Sequence, residues 1–200
     1  MTVRGYPRLA GSGGTIEQQM NTQIWLIGFM ATGKSRIARP LAAALDWQCL
    51  DLDRLIEERA GEEIPKIFGS GGEAAFRELE LQIVDEIADK PNIVVATGGG
   101  TVLAEANRSA MRKKGFIVAL DARPETIAAR IADSGMRLSD RPLLAGEDVM
   151  GRIIGLKSDR QPLYSQADFI IQTDDMTPDQ VTHQILTAFR ERSAVAGGTA

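Results

Sequence analysis

The eight residues Gly28-Phe-Met-Ala-Thr-Gly33-Lys34-Ser35 restrict this chain more than any other feature of it. They satisfy G-x-x-x-x-G-K-[ST] in full, directly after the apolar run Ile24-Trp25-Leu26-Ile27 and directly before an amphipathic stretch. Strand, glycine loop and helix together form the context in which this pattern cradles phosphates. The spacing has a physical reason. Successive backbone N–H groups must turn inward around a polyphosphate, and the helix N-terminus adds positive potential behind them. Gly33 lets the backbone come close, Lys34 reaches the β and γ phosphates, and Ser35 offers a hydroxyl to Mg2+. Gly11–Gly14 and Gly69-Ser-Gly-Gly72 lack a preceding strand and read as linker or turn.

The rest of the pattern supports an α/β fold. Cys49-Leu50, Ile93–Ala96, Phe116–Leu120 and Phe169–Ile171 join Ile24–Ile27 as strands, most of them apolar on both faces. That suits a parallel sheet covered on both sides. Stretches near 34–45, 73–89, 104–113, 124–132, 147–160 and 178–191 read as helices, the last opened by Thr177-Pro178 as N-cap and first residue. Residues 1–20 read as a flexible leader, 21–192 as a single domain and 193–200 as a loose tail. Within the domain, 52–80 holds more helix than one crossover needs. The polar, glycine-flanked stretch 134–147 reads as a lid.

Composition excludes several classes. Of 200 residues, 44% are hydrophobic and 25% charged, and the net charge is −4. A disordered chain is excluded, and a general nucleic-acid binder would carry a basic surplus. The single Cys49 excludes an internal disulfide and a Cys-based zinc site. No apolar run is long enough to span a bilayer, so no membrane partner and a cytoplasmic location are expected.

A phosphate loop alone does not name a reaction. Hydrolases of this class place an acid after another strand to support Mg2+, yet Ile93–Ala96 is followed by Thr97-Gly98-Gly99-Gly100. The acids instead stand at Asp51 and Asp53, which alternation along an extended chain turns to one face. Asp51 could support Mg2+ through water, and Asp53 could accept a hydroxyl proton. Equally, Asp53 could cap a helix starting at Arg54. Arg77 and Glu80 share a helix face and, taken alone, could be a surface ion pair. Arg77, Arg160 and Arg141 together suggest an anionic substrate besides the ATP phosphates, because a guanidinium matches a planar carboxylate.

In order along the chain, Gly28–Ser35, Asp51-Leu-Asp53, Phe76-Arg77-x-x-Glu80, Gly98-Gly99-Gly100, Arg141-Pro-Leu-Leu144 and Arg160-x-Pro-Leu-Tyr164 resemble the shikimate kinases. The resemblance runs from about 24 to about 190. It implies a three-layer α/β/α fold with a five-stranded parallel sheet, like the nucleoside monophosphate kinases. It further implies transfer of the ATP γ-phosphate to the 3-hydroxyl of shikimate, on the route to chorismate and the aromatic amino acids. By resemblance Asp53 holds the shikimate hydroxyls and is the base, Arg77 and Arg160 hold the carboxylate, and Gly99 gives a backbone N–H. Glu80 orients an arginine. Ala31, Thr32, Gly33, Lys34, Ser35 and Arg36 bind the nucleotide, with Arg141 reaching the transferring phosphate. Lys34 and Arg141 thereby join Asp53 in catalysis, while Ser35 and Asp51 serve Mg2+. Arg130 and Thr173–Pro178 fall where adenine is held. ATP and shikimate are the expected partners of a monomer that binds no nucleic acid.

Three positions depart from the family. Ala31 replaces a usual glycine and is tolerable there only at negative φ. Arg36 replaces a threonine and reads as a helix-surface residue. Pro40 falls inside the first helix and deletes one hydrogen bond, to the Arg36 carbonyl. Elsewhere Cys49 reads as a buried small side chain, His183 as a surface residue, and Trp25 and Trp47 as core. Another kinase of the fold, such as a gluconate kinase, would share the loop but not Arg77 and Arg160 with G-G-G. A catalytically silent binding module would be expected to lose Lys34, Asp53 or Arg141.

Overall fold

The computed structural model describes residues 22–133 and 148–197. Its centre is a parallel sheet of β1 (Gln23–Ile27), β2 (Gln48–Asp51), β3 (Ile93–Ala96), β4 (Gly115–Asp121) and β5 (Phe169–Gln172). The strands lie in the order β2-β3-β1-β4-β5, all neighbours parallel. The helices are α1 (Lys34–Leu45), α2 (Leu52–Ala60), α3 (Ile64–Ile87), α4 (Glu105–Lys114), α5 (Pro124–Asp133), α6 (Val149–Tyr164) and α7 (Pro178–Gly197), with a 3-10 turn at Thr101–Leu103.

Alternation along each strand builds two separate cores. Trp25, Ile27, Val95, Ile117 and Ala119 pack under α2 to α6, against Leu52, Ile56, Phe76, Val84, Ile127 and Ile153. Ile24, Leu26, Val94, Phe116 and Val118 face the other way, onto Ile37, Leu41, Val181, Ile185 and Phe189 of α1 and α7. Successive side chains of a strand point to opposite faces, so strands apolar throughout demand a helix layer on each side. The three-layer expectation is met.

The strand order places the site. From β1 the chain crosses towards β2, whereas from β3 it crosses back over β1 towards β4. Beyond the carboxyl ends of β1 and β3 the connections therefore diverge and leave a crevice, the place where open α/β sheets bind ligands.

Several local expectations are corrected. β2 stops at Asp51 and α2 begins at Leu52, so Asp51 and Asp53 do not share a face by strand alternation. Asp51 caps α2, accepting from the Arg54 N–H, and Asp53 lies in the first turn. Gly69, Ser70 and Gly71 are helical, not linker; only Gly72 breaks α3, at φ 70° and ψ −174°. Cys49 is exposed because β2 is an edge strand beside an open groove lined by Arg36, Arg39 and Leu55. Trp25 is core, but Trp47 precedes β2, is half-buried, and meets Phe189 edge-on at 5.4 Å. α7 continues to Gly197, so 193–197 are helical where a loose tail is expected; alanine is the best helix former. At its start Thr177 and Gln180 cap each other, as the Thr-Pro signal predicts. Pro40 sits inside α1 without ending it, and His183 is exposed. The stretches 1–20 and 134–147 lie outside the described residues.

Candidate active site

The phosphate loop joins β1 to α1. Gly28 adopts φ 135°, and a Cβ there would stand 2.2 Å from the Leu120 carbonyl oxygen, so only glycine fits. Gly33, at φ 103°, precedes α1 without a capping side chain, which leaves the first helical N–H groups open to an anion. Lys34 is buried, and its ammonium donates to the carbonyls of Gly28 and Phe29, both at 2.8 Å. The Thr32 hydroxyl donates to the Phe29 carbonyl at 2.8 Å. Arg36 is exposed on α1, as its position predicts.

Ala31 overturns an expectation. Its φ is +58°, not negative. A left-handed alanine costs on the order of 1–2 kcal/mol, and the surrounding bonds hold it there. Arg130 reaches from α5 and donates to the Ala31 carbonyl at 3.3 Å. The same guanidinium donates to the Thr173 hydroxyl at 3.0 Å and to the Thr173 carbonyl at 2.6 Å. Arg130 and Thr173 thus stand against the loop.

At the carboxyl end of β2, the Ser35 hydroxyl donates to Asp51 Oδ2 at 2.6 Å. Asp53 stands beyond it, open to solvent on one side and walled by protein on the others. Those walls push its pKa up to about 6; the Asp51 charge adds to the rise and Lys34 opposes it. Among the described residues no cluster of three His, Cys, Asp or Glu side chains could hold a metal ion alone. Ser35 and Asp51 are hard oxygen donors beside a phosphate loop, a set that fits Mg2+ held mostly by water and phosphate.

Asp53, Arg77, Arg160 and the three glycines after β3 line one cleft of about 140 Å³, with Met30, Phe68 and Phe76 as apolar walls. The glycines are explained by what lies against them. A Cβ on Gly98 would stand 2.9 Å from Asp53 Oδ1, and one on Gly100 would stand 2.3 Å from Arg77 Nη2. A Cβ on Gly99 would reach within 3.3 Å of the Met30 amide and 3.6 Å of Arg160 Nη1. Gly98 and Gly100 leave room for Asp53 and Arg77, while Gly99 lies close against the phosphate loop.

The two arginines are held differently. Arg77 donates to Glu80 at 2.8 Å and to Glu73 at 3.1 Å. Glu80 is fully buried and also accepts from the Thr101 hydroxyl at 2.6 Å, so the pair is no surface ion pair. Arg160 is 4% exposed, and no carboxylate pairs with it among the described residues. Its guanidinium lies 5.8 Å from the centre of the Phe29 ring. A buried cation without a counter-charge is costly unless an anion joins it. Arg141 lies outside the described residues. Sequence reasoning missed roles for Phe29, Thr101 and Tyr164; only Tyr164, in Arg160-x-Pro-Leu-Tyr164, carried a signal.

With this geometry in place, comparison with known proteins is specific. A family model described as shikimate kinase matches residues 30–190. A shikimate kinase of Symbiobacterium thermophilum is 42% identical over 170 residues, covering 84% of this chain and 97% of the relative. A structure of Acinetobacter baumannii shikimate kinase in complex with shikimate superposes with a TM-score of 0.81 at 31% identity, covering 87% of this chain and 96% of that one. A Sinorhizobium meliloti gluconokinase, at 12% identity and a TM-score of 0.57, covers 88% of this chain and 95% of its own and shares the fold alone.

Proposed function

The chain belongs to the shikimate kinase family, and from that premise we propose that Asp53, Arg77 and Arg160 seat shikimate against the phosphate loop. The reaction is ATP-dependent phosphorylation of the shikimate 3-hydroxyl, on the route to the aromatic amino acids. The observation that carries the residue roles is Arg160: a buried guanidinium that no carboxylate among the described residues pairs with, lining the cleft that holds Asp53.

The carboxylate of shikimate supplies the missing counter-charge, shared between Arg160 and Arg77. Glu80 and Glu73 fix the Arg77 fork from behind. The bound acid presents its hydroxyl to Asp53. As the hydroxyl oxygen bonds to the γ-phosphorus, the bond to the β–γ bridging oxygen breaks and ADP leaves. The hydroxyl proton passes to Asp53, whose raised pKa suits a proton acceptor near neutrality.

The loop amides and Lys34 hold the β and γ phosphates, where preorganised donors lower the barrier as charge shifts. Ser35 and Asp51 are the residues that would hold Mg2+, which when bound neutralises phosphate charge. Arg141 keeps its sequence-based role of meeting the transferring phosphate from the lid. Among the described residues no helix is long and apolar enough to cross a membrane, and a cytoplasmic enzyme fits the reading.

The test is ADP release measured with ATP and shikimate, with ATP and gluconate, and with ATP alone. Shikimate-dependent release is expected, with little in the other two. Release that gluconate drives as fast as shikimate would contradict the assignment.

A further inference from the structure

One peptide unit of the phosphate loop is held from outside it. Ala31 stands at φ 58°, and Arg130, on α5, donates through Nη1 to its carbonyl at 3.3 Å. The guanidinium is itself clamped. Nη1 also donates to the Thr173 hydroxyl at 3.0 Å, and Nη2 donates to the Thr173 carbonyl at 2.6 Å. Thr173 is 3% exposed and is fastened to the end of β4, where its N–H and its hydroxyl donate to the Asp121 carbonyl at 2.9 and 3.0 Å. A continuous path results: sheet to Thr173, Thr173 to Arg130, Arg130 to the loop.

The trans peptide gives this bond a direction. Its C=O and N–H point opposite ways, so an Ala31 carbonyl turned towards Arg130 turns the Thr32 N–H away from it. The Thr32 carbonyl also lies on the Thr173 side, 3.4 Å from that hydroxyl, which turns the Gly33 N–H the same way. Neither N–H donates to a backbone carbonyl among the described residues. Inward-facing amides of this kind are what a polyphosphate needs. Alanine left to itself favours negative φ, and a loop that relaxed there would rotate the peptide and withdraw its N–H.

We propose that Arg130 is a positioning residue for the phosphate loop: it holds the Ala31 carbonyl and so keeps the Thr32 N–H aimed at the bound phosphates. The proposal rests on the reading of 28–35 as the polyphosphate site. A contact with the adenine base, the place that resemblance gives Arg130, is a different role and predicts a different pattern of losses.

The probe that separates the two roles has no base. Calorimetric titration with inorganic tripolyphosphate, and separately with ATP, compares wild type with Arg130→Met, which keeps a long apolar stem and removes the donors. Both ligands should bind about tenfold more weakly, the factor by which the competent loop is depopulated when the alanine loses its brace. Shikimate affinity should stay within about twofold, because its own partners are untouched. In the Ala31→Gly background the same change should weaken tripolyphosphate by no more than about twofold, because glycine holds positive φ without a brace. Tripolyphosphate binding that is absent from wild type, or weakened less than about threefold in Arg130→Met, overturns the proposal; ATP weakened alone assigns Arg130 to the base. A full penalty in the Ala31→Gly background overturns it, as does a parallel loss of shikimate. If wild type binds tripolyphosphate and ATP but not shikimate, the substrate reading falls while the cycle with Ala31→Gly still decides the role of Arg130.

Discussion

The two halves of the cleft are built on opposite principles. The nucleotide half is one continuous segment, 28–35, whose backbone does the binding: Gly28 and Gly33 in left-handed conformations, helix N–H groups left open, Lys34 folded over the loop carbonyls. The acceptor half is gathered from α2, α3, the turn after β3, and α6, and side chains do the binding. Its backbone contribution is negative space: Gly98 and Gly100 leave room for Asp53 and Arg77. Apart from the Lys34 and Ser35 side chains and the tight fit at Gly28, a backbone-built half tolerates substitution where φ is kept. A side-chain-built half fails when a single fork is turned. The two halves should therefore respond to different changes.

The largest separation is expected from Asp53→Asn. Loss of a general base costs about 10²–10⁴-fold in rate, while ATP affinity should stay within about twofold, because the loop is untouched. Single-turnover phosphate transfer and an ATP titration measure the two quantities. The same change should raise the Tm of the free protein. A carboxyl whose folded pKa is raised from 3.8 to about 6 destabilises the fold as pH rises through that window, and asparagine removes the effect.

Gly100→Ala acts on the acceptor half alone. Its methyl group would occupy the position of the Arg77 guanidinium. Shikimate KM should rise about tenfold as the fork is displaced, with ATP KM unchanged. Equal rises in both would show that the halves are not separable.

A pH profile sharpens the comparison. If Asp53 must be ionised, kcat/KM for shikimate should fall as pH drops through about 6. An acid limb near 4 would mean that the walls of the cleft do not govern this carboxylate.

The smallest effect is expected in the nucleotide half. Ala31→Gly removes the cost of a left-handed alanine, on the order of 1 kcal/mol, and gives back part of it as unfolded-chain entropy. A Tm rise of about 1–4 °C is expected, with ATP KM within about twofold. A lower Tm would show that the alanine methyl packs usefully where it stands.

The same contrast explains what the sequence made legible. A continuous motif can be read from spacing, and 28–35 folds as its pattern predicts. The central strands β1, β3 and β4 were legible because short runs apolar on both faces fit a sheet covered by helices on each side. Ala31 was misread because spacing says nothing of φ, and the bond from Arg130, ninety-nine residues away, is invisible in sequence. The acids were paired for the wrong reason: strand alternation fails at Leu52, where α2 begins, and the cap falls to Asp51. Glu80 could be read as a surface partner because i, i+3 spacing is silent on burial. Tyr164 was visible in its motif, but its bond to Gly99 spans sixty-five positions and depends on how α6 lies on the sheet.

The most direct test of separable halves is calorimetric titration of wild type and Arg160→Lys, each with shikimate and separately with ATP. Lysine keeps the charge and loses the two-pronged geometry. The account predicts shikimate affinity weakened about 10- to 100-fold and ATP affinity within about twofold of wild type. Unchanged shikimate affinity, or equal weakening of both ligands, would contradict it.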